Sequence, residues 1–272
     1  MKIQLTESQY ELLVEFQKRA YSFDWDDNIL MMPTQIHLEK RVGEEWIPVD
    51  ASTSEFAELR HEIGKEFRFL NDDPEEAFAD FRDYDAFQRD TRIAIQKKSF
   101  GPSFDKFKEA LMYGNDFSII TARGNSPKAL KDGVRLLIDL SFSDQEKDTM
   151  VDNLKGTSID QFLSLQDYHP VTSDEFKSRF GVGSGAENPE IAKTIALQDF
   201  VRRVVKAAKQ IEDHPQYNGL SVGFSDDDLG NVKKAEEFIE EELKKAYPQV
   251  RFLVYDTSDP SDTKKKRIMI KK

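Results

Sequence analysis

Short apolar runs alternate along this chain with stretches of helical spacing. Tyr21-Ser22-Phe23, Phe117-Ser118-Ile119-Ile120, Leu220-Ser221-Val222-Gly223-Phe224 and the segment 250–255 each read as a short buried strand. Tyr10, Leu13 and Val14 predict a helix from a cap at Thr6 or Ser8 to about Ala20, and Ser8 with Glu11 fits a capping box. The segment 126–138 predicts another helix, with Pro127 suited to the first helical position. A polar helix is expected over 143–154, and one more over 232–246. Between them, Asn188 and Pro189 open a helix whose apolar face is Ile191, Ile195, Val201, Val204, Val205 and Ala208. The third core strand is expected over 162–168. Strands alternating with helices predict an α/β fold on a parallel sheet.

The stretch 34–111 breaks that alternation. Ile36 and Leu38, then Trp46, Ile47 and Val49, flank Val42-Gly43-Glu44-Glu45 and predict a hairpin. From 53 onward the pattern is helical and rich in aromatics. Phe56, Leu59, Ile63 and Phe67 share one face, and Phe78, Phe81, Tyr84 and Phe87 follow. Asn71-Asp72-Asp73-Pro74 and Gly101-Pro102 punctuate it. These aromatics predict the core of a small insertion. Gly181-Val182-Gly183-Ser184-Gly185 lacks the strand–helix context of a phosphate loop and reads as a linker.

A chain of 272 residues has room for one large domain or a core with an insertion. The net charge of −12 argues against broad nucleic-acid binding, which needs a basic footprint. With no Cys there is neither a disulfide framework nor a thiolate metal site. The amino terminus shows no apolar signal-like core, and no apolar run spans a bilayer. A cytoplasmic protein without a membrane partner is the expectation.

Candidate chemistry lies at the strand ends. Asp24, Asp26, Asp27 and Asn28 follow the first apolar run. Carboxylates held so close are costly unless a cation or proton lies between them, and Mg2+ takes oxygen ligands. Such a cluster is also ordinary turn composition. Thr121 closes another run just before a helix, where a hydroxyl and backbone N–H groups can hold an anion; a capping threonine is the plainer reading. Asp226-Asp227-Asp228 follows the strand 220–224 and could equally cap the next helix.

Asp24-Trp25-Asp26-Asp27-Asn28 resembles the first motif of the haloacid dehalogenase-like (HAD) hydrolases, with Asn28 departing from the usual Thr or Val. Ile120-Thr121-Ala122-Arg123-Gly124 resembles the second motif, Lys193 the third, and Asp226-Asp227 with Asn231 the fourth. Asn231 departs from an acid, which leaves the register open by one residue. Lys177 is the fallback for the third. The resemblance implies a Rossmann-like core of residues 1–33 and 112–272, with a helical extension at 1–20 and a basic tail at 263–272. A flap hairpin and mainly helical cap, 34–111, would be inserted after the first core strand.

The implied activity is Mg2+-dependent hydrolysis of a small-molecule phosphomonoester by the phosphatase branch of the family. Asp24 would be the nucleophile and Asp26 the general acid and base. Thr121, Ala122, Arg123 and Lys193 would hold the phosphoryl group. Asp24, the backbone carbonyl of Asp26 and Asp227 or Asp226 would hold the metal. One rival is a non-catalytic scaffold, with Asn28 and Asn231 as signs of decay. The other is a nucleic-acid end phosphatase guided by the basic tail, against which the acidic remainder argues.

Overall fold

The computed structural model describes residues 16–182, 189–214, 217–259 and 266–269. The strands are β1 (Phe16–Phe23), β2 (Ile36–Val42), β3 (Glu45–Ala51), β4 (Phe67–Phe69), β5 (Asp116–Thr121), β6 (Asp167–Pro170), β7 (Tyr217–Asp226), β8 (Arg251–Asp256) and β9 (Lys266–Met269). The α-helices are α1 (Thr53–Leu59), α2 (Pro74–Ala77), α3 (Tyr84–Gln96), α4 (Phe104–Met112), α5 (Pro127–Ser141), α6 (Asp144–Asn153), α7 (Ile159–Ser164), α8 (Asp174–Phe180), α9 (Pro189–Ala208), α10 (Leu229–Phe238) and, after a π-helical segment (Ile239–Leu243), α11 (Lys244–Ala246).

The large sheet has the order β6-β5-β1-β7-β8-β9. Its first five strands are parallel, and β9 pairs antiparallel with β8. Alternation along each strand divides the core between two faces. Tyr21, Phe23, Phe117 and Ile119 point to one face, under α3, α4, α5 and α7. Ala20, Ile120, Val222 and Phe224 point to the other, under α8, α9 and α10. This is a Rossmann-like α/β architecture. No helix among the described residues is long and apolar enough to cross a membrane.

The segment after β1 forms two different things. β2, β3 and β4 make a small sheet of order β3-β2-β4, its hairpin turned at Gly43, where φ is 65°. Ile36, Leu38, Ala51, Phe67 and Phe81 form its own core, with Phe56, Leu59 and Ile63 packed alongside. By contrast, α3 and α4 give Phe87, Ala94, Phe104 and Phe107 to the main core. The aromatic row Phe78, Phe81, Tyr84, Phe87 is therefore split. Its first two members belong to the insertion, Phe87 belongs to the sheet, and Tyr84 is exposed and donates to Asp132 Oδ2 at 2.8 Å. Gly133 on α5 makes room for the split, because a Cβ there would stand 2.6 Å from the Phe87 ring.

Four expectations need correction. The helix expected up to Ala20 cannot include residues 16–20, which pair with β7 as strand, while 1–15 lie outside the described residues. The strand expected over 162–168 starts instead at Asp167. Ser158 and Gln161 form a capping box that starts α7, and Phe162 and Leu163 are buried as a helical face. The expected final strand is followed by β9, so part of the basic tail closes the sheet. On α9, Ile191 is exposed rather than apolar-faced. The glycine linker falls partly on 183–185, outside the described residues; Gly181, at φ 64°, ends α8.

His169 on β6 is buried, its Nε2 has no hydrogen-bond partner, and the rings of Phe176 and Phe180 stand edge-on to it. Burial lowers its pKa from 6.5 to about 4, so the folded protein holds it neutral. Its contribution to stability is complete above pH 6.5 and is lost as pH falls through about 4. Urea titrations across that range should show the wild type losing on the order of 3 kcal/mol more than His169→Leu. Parallel acid limbs for the two proteins would refute the assignment.

Candidate active site

The chain adds strands to one side of β1 and then returns to its other side with β7. The strand order therefore reverses between β1 and β7, and in open α/β sheets ligands bind outside the carboxyl ends of the strands at such a switch point. Asp24 and Asp226 stand at those two ends. The ladder continues one residue past β1, where Asp24 N–H donates to Ser225 O at 3.0 Å. Carboxylate oxygens of Asp24, Asp226 and Asp227 converge within 4.8 Å of one another.

Lys193, in the first turns of α9, reaches this cluster from the second face. Its Nζ lies 3.1 Å from Asp24 Oδ1 and 2.8 Å from Asp226 Oδ2. Burial alone would lower its pKa, but Asp226 and Asp24 outweigh that and raise it, so it stays charged. Lys177 lies on the separate helix α8.

The three consecutive aspartates do three different jobs. Asp226 is saturated: Oδ2 takes Lys193, and Oδ1 accepts from Asn231 Nδ2 at 2.9 Å and from Asp228 N–H at 3.0 Å. Asp228 caps α10, accepting from Gly230 N–H at 2.6 Å. Asp227 has no hydrogen-bond or ion-pair partner among the described residues. Burial raises its pKa, reinforced by Asp24 and Asp226. Asp24 is raised as well, by burial first, with Lys193 opposing and Asp226 and Asp26 adding to it.

One ammonium thus faces three carboxylates, two of which resist ionisation. Oxygen donors with uncompensated negative charge are what a hard divalent cation takes. The donor set fits Mg2+ through Asp24 and Asp227, with Asp226 holding Lys193 beside them.

Asp26 is not one of the three converging carboxylates. Arg123 grips both of its oxygens, Nε at 2.8 Å from Oδ2 and Nη2 at 2.7 Å from Oδ1. Thr121 Oγ1 donates to Asp26 Oδ2 at 3.3 Å. The backbone carbonyl of Asp26, expected on the metal, accepts Asn28 N–H at 2.6 Å in a tight turn through Asp27, whose φ is 54°. Arg123 was expected at a phosphate. Its guanidinium is wholly buried: aromatic rings flank it, Nε and Nη2 donate to Asp26, Nη2 also donates to Thr34, and Nη1 has no hydrogen-bond partner among the described residues. Ala122 is exposed beside it.

Asn28 is fully buried. Its Nδ2 donates to Asp24 O at 3.1 Å and to Ser225 O and Oγ at 3.2 and 3.0 Å. Its Oδ1 accepts from Thr257 Oγ1 at 2.9 Å. One amide therefore ties the ends of β1, β7 and β8. Gly101 packs onto this loop so closely that a Cβ would stand 2.4 Å from Asn28 O. Sequence reasoning missed Thr34, Asp90 and Thr257, which carry no local signal. It also missed two ties to the insertion, Thr53 Oγ1 donating to Asp27 Oδ2 and Arg60 Nη1 at 3.6 Å from Asp228 Oδ2.

A cavity of about 1060 Å³ opens at the amino ends of β7 and β8, away from the carboxylates. Convergent charge marks this site, not cavity size. The chain matches no protein-family model, no curated protein and no solved structure.

Asn28→Thr would leave Asp24 in place but lose the two-ended tie. Each buried polar group left unpaired costs about 1–3 kcal/mol. Urea denaturation should show a loss of at least about 2 kcal/mol. A loss below about 0.5 kcal/mol would mean that the strand ends hold without the amide.

Proposed function

We propose that this protein is a Mg2+-dependent phosphohydrolase that cleaves a small-molecule phosphomonoester through an aspartyl-phosphate on Asp24. The observation that carries the reading is the convergence of buried Asp24, Asp226 and Lys193 with half-buried Asp227 at the switch point of the sheet. A carboxylate attacks a phosphoryl group poorly unless the phosphate's charge is neutralised. Lys193 supplies one positive charge, and Mg2+ on Asp24 and Asp227 would supply the rest.

In the first step an Asp24 oxygen bonds to phosphorus while the bond to the leaving oxygen breaks. Asp26, once one of its bonds to Arg123 opens, carries a proton to that oxygen. In the second step Asp26 takes a proton from water, whose oxygen displaces Asp24 and releases phosphate. The hydroxyl of Thr121, which donates to Asp26 Oδ2, and the backbone N–H of Ala122 would hold the phosphoryl oxygens. Lys193 stays protonated throughout and steadies charge on Asp24 and the phosphoryl oxygens.

Two features favour an enzyme over an inert scaffold. Asn28 is a structural tie, and Asn231 donates to Asp226 where an acid would add a further negative charge. Neither departure from the HAD pattern removes the nucleophile or Lys193.

Asp24→Asn should abolish Mg2+-dependent hydrolysis of an aryl phosphate, a loss beyond about 10⁴-fold, while the protein stays folded. Activity retained in the purified variant would remove the covalent route. Asp227→Asn relieves the repulsion at the cluster. In a chelator it should therefore unfold at higher urea than the wild type. Adding Mg2+ should stabilise the wild type, by about 2.7 kcal/mol at a hundredfold excess over its Kd, and the variant much less. Equal gains in both would place the metal away from Asp227.

A further inference from the structure

Among the described residues, Arg123 is a large buried cation beside the site that the mechanism above does not use. Its guanidinium lies between two aromatic rings, 4.6 Å from the centre of Phe81 and 5.0 Å from that of Phe87. Phe81 belongs to the core of the insertion, and Phe87 to α3 in the main core. Such sandwiching holds a planar cation in place while excluding water.

Two of the guanidinium nitrogens of Arg123 are bonded, to two partners, while the buried Nη1 has no hydrogen-bond partner among the described residues. Nε and Nη2 form a fork on Asp26, and Nη2 also donates to Thr34 Oγ1 at 2.8 Å. Thr34 in turn donates to Asp90 Oδ2 at 2.9 Å, and Asp90, on α3, is buried. The turn after Arg123 is fixed to the same insertion, since Gly124 N–H donates to Phe81 O at 3.0 Å. Thus Asp26 is held by Arg123, and Arg123 is held by the insertion on one side and α3 on the other.

A carboxylate whose two oxygens both accept from one guanidinium has little freedom to turn, and must open one of those bonds before it can carry a proton to a leaving oxygen. Resting on the phosphohydrolase reading, we propose that Arg123 is a positioning residue: it aims Asp26, and the cage of Phe81 and Phe87 makes that aim depend on how the insertion is seated. Arg123 touches neither substrate nor metal in this role. A guanidinium rather than an ammonium is required, because only the planar fork fixes both oxygens at once.

The test compares alkyl with aryl phosphates at saturating Mg2+. An aryl leaving group departs without a proton, whereas an alkyl one needs Asp26. Arg123→Lys keeps the charge but not the fork, and Phe81→Leu loosens the cage without touching the ion pair. Both should lower kcat on alkyl phosphates more than on aryl phosphates, by about 10²-fold for a misplacement near 1 Å. Adding Asp26→Asn to Arg123→Lys should then cost far less on alkyl phosphates than Asp26→Asn costs in the wild type. Thermal melts of each variant identify those that remain folded, and Phe81→Leu provides the comparison if Arg123→Lys does not. Equal losses on both substrates, with additive effects of Asp26→Asn, would reduce Arg123 to a structural ion pair. A folded wild type inactive on every phosphomonoester would overturn the phosphohydrolase reading itself, and this role with it.

Discussion

The structure is built around one electrostatic constraint, three carboxylates within 4.8 Å of each other, two of them buried and the third half-buried. Like charges at that range repel strongly wherever solvent is excluded, and uncompensated buried charge is among the costliest features a fold can carry. The surroundings answer it group by group. Lys193 enters from α9 between Asp24 and Asp226. Asn231 and the Asp228 N–H donate to Asp226. Asn28 prevents the strand ends from parting, because its amide bonds to the ends of β1, β7 and β8 together. What remains uncompensated, on Asp24 and Asp227, is the part a ligand could relieve. Repulsion tolerated at a site by a well-packed surround is a recognised mark of function.

The insertion is woven into this arrangement and does not simply cover it. Thr53 meets Asp27, Arg60 meets Asp228, and Phe81 backs the guanidinium that holds Asp26. Each acidic segment therefore reaches the cluster, through Asp24 in one and Asp226 and Asp227 in the other, and also the insertion, through Asp27 and Asp228. Asp27 shows the effect on chemistry. Its pKa is raised to about 6 by burial, against the hydrogen bond from Thr53 and with Asp26 adding to the rise. A shift of the insertion would change the environments of Asp26, Asp27 and Asp228 together.

Much of this was legible along the chain, for physical reasons. An apolar run followed at once by carboxylates marks a strand leaving the core, so Asp24, Thr121 and Asp226 could be placed at strand ends. Lys193 was readable only because it stands early on a helix leading to the next acidic strand end. The division of labour inside each cluster was not readable. Which of Asp226, Asp227 and Asp228 faces Lys193 depends on backbone turns within three residues. The Arg123 cage joins residues 81, 87 and 123, and no local pattern encodes such a meeting. The strand expected at 162–168 failed because Phe162 and Leu163 suit a strand and a helical face equally well, and the capping box at Ser158 decided between them.

The way the sheets end has a consequence for how copies of this chain behave towards one another. At one border of the large sheet lies β6, only four residues long and ending in Pro170. The outer strand β3 of the small sheet carries Pro48, which has no N–H to offer. Short or proline-bearing borders present few unpaired backbone groups to a foreign strand. A net charge of −12 adds mutual repulsion between molecules. A fold that concentrates internal repulsion at two strand ends is prone to open there first. Blunt borders mean that an opened molecule offers its neighbours little template for strand-by-strand aggregation.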